Sequence, residues 1–186
     1  MEQKKLSISS LKVRDMVQVA LMAAVTYIAT SVINVPTGAV FKGVVHLGDS
    51  MVLLAAVLLG RKKGFLSAAI GMSLFDILSP YAIWAPFTFC IKGIMAWIAA
   101  SIAYRGEYNG EKLWNNVLAF IMACIWMIAA YYTAGVLLMH YVSNINFYQA
   151  FVLSAAEIPG NIAQSIAGII IALPLAKILK KVNAVK

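Results

Sequence analysis

The sequence predicts an all-α integral membrane bundle of six transmembrane helices with both termini cytoplasmic. Three observations predict it. Of 186 residues, 62% are hydrophobic and only 12% charged, about half the charged share of a soluble domain, which leaves too little polar surface to coat a water-soluble globule. The apolar residues gather into long runs of the length that crosses hydrocarbon. The basic residues, which set a net charge of +8, sit at the ends of those runs and favour alternate connections. In a soluble protein that charge would point to nucleic acid. Here it orients the chain in a lipid bilayer, and no nucleic-acid partner is expected.

The first helix is read over residues 16–35. Lys4, Lys5, Lys12 and Arg14 precede it as the n-region of a signal peptide would. The run is too long for a signal core and no clear small-residue cleavage site follows, so it is read as a retained helix. The second helix is short, residues 48–60. Arg61, Lys62 and Lys63 separate it from the third, residues 64–79, which Pro80 stops. The fourth runs from about 86 to 104 and the fifth from 113 to about 141, with Arg105 and Lys112 between them. The sixth, from 148 to about 179, contains Pro159-Gly160, and Lys177, Lys180, Lys181 and Lys186 close the chain. The three remaining connections hold only Lys42. Positive residues mark the cytoplasmic side, so both termini fall there, as an even helix count requires. No internal repeat or linker divides the chain, and residues 1–186 are read as one domain.

Ionisable side chains in hydrocarbon are expensive and usually face a cavity or a partner. Asp76, Lys92 and Glu157 lie within apolar runs, and His46 and Asp49 lie at the mouth of the second helix. At 1.5 Å per residue, the predicted orientation puts Glu157 roughly 13 Å and Lys92 roughly 9 Å below the outer surface. All five fall in the outer half. On helix six, Ser154, Glu157, Asn161, Gln164 and Gly168 recur at steps of three and four, which places them on one face. Pro159 removes a backbone donor there and predicts a kink, and freed backbone groups at membrane depth belong where they line a cavity. Thr88 and Lys92 share a face of helix four.

Each of these residues also has a plainer role open to it. Lys92 can form a structural ion pair with Glu157 or Asp76. Asp76 can be a helix-end residue wetted by the outer loop, and His46 an interfacial histidine. Asp49 can be an ordinary N-cap. The cluster holds more acids than Lys92 can neutralise, which favours a ligand site. Tyr81, Trp84, Phe87, Tyr131, Tyr132, Phe147 and Tyr148 fit an interfacial aromatic belt or a stacking surface for a flat heterocycle. Trp84, between Pro80 and Pro86, is the preferred pocket or lid residue. Ala20 and Ala24, four apart on helix one, let another helix approach closely.

The sequence has no phosphate-binding glycine loop, no G-x-S-x-G and no H-E-x-x-H. His46 and His140 suggest no metal set, and Cys90 and Cys124 lie in apolar runs without metal or disulfide spacing. No cofactor is expected in this chain.

The run His46-Leu47-Gly48-Asp49-Ser50-Met51-Val52-Leu53-Leu54-Ala55-Ala56 through Gly60-Arg61-Lys62-Lys63-Gly64 resembles the second-helix signature of the substrate-binding S components of energy-coupling factor (ECF) transporters. Ala85-Pro86-Phe87-Thr88 to Lys92-Gly93 and Glu157-Ile158-Pro159-Gly160-Asn161 are similar to the branch that includes hydroxymethylpyrimidine, pyridoxine-type and riboflavin-type subunits. The resemblance implies a six-helix subunit of a prokaryotic plasma membrane that binds a small heterocyclic vitamin, hydroxymethylpyrimidine or pyridoxine-like, in its outer half. It implies partners that supply the energy: a transmembrane coupling subunit and two cytosolic ATPases, which use the ATP. It further implies that Ala20 and Ala24 contact the coupling subunit, and that the subunit topples in the membrane to release its substrate. Lys92, Glu157 and Asn161 then hydrogen-bond the vitamin and Trp84 stacks on it, within a site that includes His46, Asp49, Asp76, Thr88 and Gln164. The family reuses one scaffold for dissimilar ligands, so fold alone does not name the vitamin. Two other readings stay open: an intramembrane enzyme using Asp49 or Glu157 as acid or base on a lipid-linked substrate, and a structural subunit without a pocket.

Overall fold

The computed structural model describes residues 13–36 and 44–184. Lys4, Lys5, Lys12, Lys42 and Lys186, which entered the orientation argument, lie outside the described residues. The chain is almost entirely helical. Helix α1 spans Val13–Val32, α2 Gly48–Ile77, α3 Ala85–Ala103, α4 Leu113–Tyr141, α5 Phe147–Ala155 and α6 Ile158–Ala184, and a 3-10 turn covers Ala82–Trp84. Four stretches among the described residues are long and apolar enough to cross a membrane: Val13–Val32, Ala82–Ala103, Leu113–Tyr141 and Phe147–Val182.

Two features depart from the expected pattern of helices. An antiparallel ribbon of two short strands, β1 Asn34–Pro36 and β2 Val44–His46, pairs Asn34 with His46 and Val35 with Val45. Strands of three residues carry no readable alternation, and an all-helical expectation passes over them. The second departure is the sixth predicted helix, which is two: α5 ends at Ala155 and α6 begins at Ile158. The break falls before Pro159, which sits in the first turn of α6, where a missing N–H costs nothing.

The boundary between the second and third predicted helices is a single residue. Helical structure continues through Arg61–Lys63, and only Gly60 leaves it, at φ 76° and ψ −172°, a conformation open essentially to glycine. The chain reverses there: a Cβ on Gly64 would lie 3.1 Å from the Cα of Ala56, whereas eight residues of straight helix would separate the two by about 12 Å. The two limbs of α2 form the centre of the bundle. Residues 52–57 are buried on every side, as befits a helix that is apolar all round. Alanines on the inner faces of α3 and α4, including Ala96, Ala99, Ala100, Ala119 and Ala123, let neighbouring helices approach closely. On α1, Gly71 of α2 packs so near that a Cβ would fall 2.5 Å from the Ala23 carbonyl oxygen.

The bundle has two chemically different ends. Lys63 pairs with Asp15 at 3.0 Å, which joins the start of α1 to the reversal of α2. The Tyr104 hydroxyl donates to the Val57 carbonyl at 2.7 Å, and Lys180 donates to that hydroxyl at 3.1 Å, which brings the ends of α3 and α6 to the same place. Every described Lys and Arg except Lys92 belongs to this end. Large apolar side chains face outward along α1, α4 and α6, among them Leu21, Ile28, Leu118, Ile125, Ile166 and Ile170. An apolar surface of that extent is solvated by lipid.

Candidate ligand-binding site

A cavity opens at the other end of the bundle, and a buried polar network forms its floor. Gly48 starts α2 in a gap where any side chain would collide: a Cβ would lie 2.1 Å from the Thr30 hydroxyl and 2.8 Å from the Met72 sulfur. This seats Asp49 in the interior. Its carboxylate does not cap the helix, whose N-cap, Leu47, makes no side-chain capping bond. Instead Oδ1 accepts from Lys92 of α3, with both side chains fully buried. Oδ2 accepts from Gln164 Nε2 of α6 at 2.7 Å. Gln164 Oε1 in turn accepts the backbone N–H of His46 at 3.1 Å. Gly168, one turn beyond Gln164, allows this approach, since a Cβ there would meet that of Asp49 at 3.3 Å.

His46 closes the network. Its Nδ1 accepts from the Gly48 N–H at 3.2 Å, so the proton of the neutral ring resides on Nε2. Burial is the main influence on this imidazole and, despite the opposing Asp49 charge, lowers its pKa to about 4. The ring is neutral near pH 7.

The walls come from five parts of the chain. The cavity, open on one side and holding about 690 Å³ of non-atom space, is lined by Met72 and Asp76 of α2, Tyr81 and Trp84 of the following loop and turn, and Thr88 and Lys92 of α3. Tyr131, Gly135 and Met139 of α4 face it, as do Ser154, Glu157, Asn161 and Gln164 near the α5–α6 break. Trp84 and Tyr131 form a tilted aromatic pair with centroids 5.9 Å apart. Lys92 Nζ sits 5.1 Å from the centre of the Tyr131 ring, in range of a cation–π contact. The Tyr131 hydroxyl donates to Thr88 Oγ1 at 3.1 Å. Asp76 Oδ2 is buried with no hydrogen-bond partner among the described residues, which leaves an acceptor in the wall for a donor from elsewhere.

The arrangement has the chemistry of a binding pocket: a buried ion pair beneath, acceptors at the rim and aromatic rings in the wall. Among the described residues, Lys92 is the one lysine or arginine that lines the cavity, and Asp49 holds it. Asp76 and Glu157 form no ion pair among the described residues, so the rim is rich in acceptors. The aromatic wall suits a flat ring. Each oxygen of Asp49 accepts a hydrogen bond from a buried partner, Lys92 or Gln164. Ser154 Oγ faces Met139 Sδ at 3.6 Å, not a base. Among the described residues, no cluster of His, Cys, Asp and Glu is placed to hold a metal ion.

All nine residues expected in the site converge on this end. His46, Asp76, Trp84, Thr88, Lys92, Glu157, Asn161 and Gln164 line the cavity, and Asp49 lies directly beneath it. The ion-pair partner of Lys92 is Asp49, not Glu157 or Asp76. Ala20 and Ala24 stand apart, on an exposed face of α1 shared with Val17, Leu21, Val25 and Ile28. Met72, Gly135 and Met139 were not foreseen. For the two on α4 a signal was present, since Tyr131, Gly135 and Met139 recur every four residues and so share one face; Met72, on α2, had none. Tyr148 and Phe147 remain exposed, 78% and 49%, as belt residues would.

Comparison with known proteins agrees with this architecture. The model of the family described as ECF-type riboflavin transporter, S component, matches residues 10–181. A Pyrococcus woesei protein described as uncharacterised, in a gap 3' region, is 33% identical over 164 residues, which cover 83% of this chain and 93% of the relative. A solved structure titled "Structure and mechanism of the S component of a bacterial ECF transporter" superposes with a TM-score of 0.62 at 18% identity, covering 90% of this chain and 96% of that one. At that identity the likeness is one of fold.

Proposed function

We propose that this chain, which belongs to the ECF-type riboflavin transporter S-component family, captures a riboflavin-type vitamin in the cavity above Asp49 and Lys92. The observation that carries the reading is the pairing of an aromatic wall, Trp84 and Tyr131, with an unsatisfied acceptor, Asp76 Oδ2. A flat nitrogen heterocycle stacks on the first and donates an N–H or hydroxyl proton to the second. Glu157 and Asn161 offer further hydrogen bonds to a polyol or ring substituent. The family match favours riboflavin. Hydroxymethylpyrimidine and pyridoxine-like rings share the same chemistry and are the competitors to test.

In this reading α2 counts as two spans and α5 with α6 as one, which makes six. The basic end faces the cytoplasm of a prokaryotic cell, and the cavity faces outside. The gathering of every described Lys and Arg except Lys92 at one end supports that orientation. Uptake is driven by partners, a transmembrane coupling subunit and two cytosolic ATPases. The outward face of α1 at Ala20 and Ala24 is smooth enough to receive the coupling subunit.

The test is a titration of the purified chain with riboflavin, followed by quenching of flavin fluorescence, with hydroxymethylpyrimidine and pyridoxine as competitors. Stoichiometric quenching, weakened about 10- to 100-fold by Asp76→Asn as expected for loss of a charge-assisted hydrogen bond, is the expected result. Full displacement by either smaller vitamin at equal concentration would reassign the substrate. No quenching, with no ligand raising the melting temperature, would overturn the reading.

A further inference from the structure

A second concave site lies at the basic end, between the start of α4 and the last turns of α6, and neither vitamin capture nor orientation requires it. Its walls are Gly110, Glu111, Leu113 and Asn116 on one side and Leu173, Lys177, Lys180 and Lys181 on the other, around about 660 Å³ of non-atom space open to the outside. Three lysines face one glutamate, an excess of two positive charges. Lys180 is already engaged, donating to the Asn109 carbonyl at 2.6 Å and to Tyr104. Lys177 and Lys181 form no salt bridge among the described residues.

Charge at helix ends is ordinary in a membrane protein, but an unsatisfied buried acceptor is not. Asn116 is 5% exposed. Its Nδ2 donates to the Gly110 carbonyl at 2.7 Å, and because that carbonyl can only accept, the amide orientation is settled. Oδ1 is then left buried with no partner among the described residues. The site therefore offers cations for an anion and one acceptor for a donor. An anion that also carries hydroxyl groups satisfies both.

The surface leading from the site narrows the class. Lys181, Lys177, Leu173, Ile170 and Ile166 follow one another along α6 at steps of three and four, so one helix face passes from cationic to apolar. On α4, Trp114 and Leu118 lie one turn apart, and Trp114 is 84% exposed, as a tryptophan at a headgroup boundary would be. A phosphate with hydroxyls at the top of an apolar track is the shape of a phospholipid. We infer that the α4–α6 groove binds the headgroup of an anionic, hydroxyl-bearing phospholipid of the phosphatidylglycerol class, with Lys177 and Lys181 on the phosphate and Asn116 Oδ1 accepting from a headgroup hydroxyl.

The test is native mass spectrometry of the full chain in detergent with equal amounts of phosphatidylglycerol, phosphatidylmethanol and phosphatidylcholine. Phosphatidylglycerol should be retained over phosphatidylcholine, and each of Lys177→Gln and Lys181→Gln should reduce that preference about fivefold. Both lysines are exposed, so these variants should fold, and unchanged vitamin binding checks it. Phosphatidylmethanol has the same charge without the hydroxyls, and its retention should be about threefold to tenfold weaker. Equal retention of all three lipids, or variants that keep the wild-type preference, would overturn the site. Equal retention of the two anionic lipids would remove Asn116 from it. Displacement of the lipid by millimolar glycerol 3-phosphate would reassign the groove to a soluble phosphate. Lysines shielded from acylation by the coupling subunit but never by lipid would make it a protein contact.

Discussion

Lys92 donates to Asp49 Oδ1 at a point where neither side chain touches solvent, and the pair joins the start of α2 to the middle of α3. Removing one partner strands a charge in the low-dielectric interior, at a cost of about 3 to 5 kcal/mol, whereas replacing both with apolar groups of similar volume is often neutral. Lys92→Met should therefore lower stability by about that amount, and Lys92→Met combined with Asp49→Leu should recover part of the loss. Thermal melts in detergent read both. A double variant no more stable than the single one would show that the pair is not the dominant interaction of either residue.

Trp84 borders the cavity and leans on Tyr131, yet it is only partly buried. Its removal should cost binding more than folding. Trp84→Ala is expected to weaken vitamin binding about 10-fold, the effect of about 1.5 kcal/mol of lost aromatic contact, while Trp84→Phe retains most of it. Titration with fluorescence detection and a parallel melting curve separate the two effects. Equal affinity in Trp84→Ala would place the ring elsewhere.

The neutral His46 makes stability depend on pH. Its pKa is about 4 in the folded chain against the ordinary histidine value of 6.5, so between these values the unfolded state binds the extra proton. Stability is then full above about pH 6.5 and falls as pH drops toward 4, by about 1 to 3 kcal/mol. His46→Asn keeps an acceptor for the Gly48 N–H without titrating. It should flatten that part of the profile, as read from melting temperature between pH 7 and 4.5. An unaltered slope would assign the acid sensitivity to other groups.

Ala20 and Ala24 lie on the outward face of α1, away from the cavity. Ala20→Leu with Ala24→Leu should leave vitamin affinity unchanged within about twofold, since distant surface changes add little. Uptake by cells supplying the coupling subunit and ATPases should fall sharply. Normal uptake by the double variant would move the coupling surface to another face.

Much of this molecule could be read from its residues, and what could not has a common cause. Helix positions followed from hydropathy, and the gathering of Lys and Arg at one end followed from their placement between runs, because both are local properties. The convergence of Asp76, Lys92, Glu157, Asn161 and Gln164 followed from the cost of polar groups in hydrocarbon. The partner of Lys92 did not. Asp49, Asp76 and Glu157 are chemically equivalent candidates, and the choice is made by the depth to which Gly48 lets α2 sink. Asp49 also satisfied every local rule for an N-cap while serving elsewhere. Likewise Pro159 announced an irregularity but not its position, since proline is as comfortable in the first turn of a helix as it is disruptive in the middle. The β1–β2 ribbon depends on pairing across a connection, which no single run reveals.

The Asp49–Lys92 bond also constrains how the chain is made. Its partners are 43 residues apart, and Gln164 is 115 residues from Asp49. At synthesis rates of 5 to 20 residues per second, Lys92 leaves the ribosome about 2 to 9 s after Asp49, and Gln164 about 6 to 23 s after it. Until Lys92 follows, α2 carries a carboxylate without its cation. A buried carboxylate is costly without its partners, so the floor of the cavity is complete only after α3 has supplied Lys92 and α6, made last, has supplied Gln164.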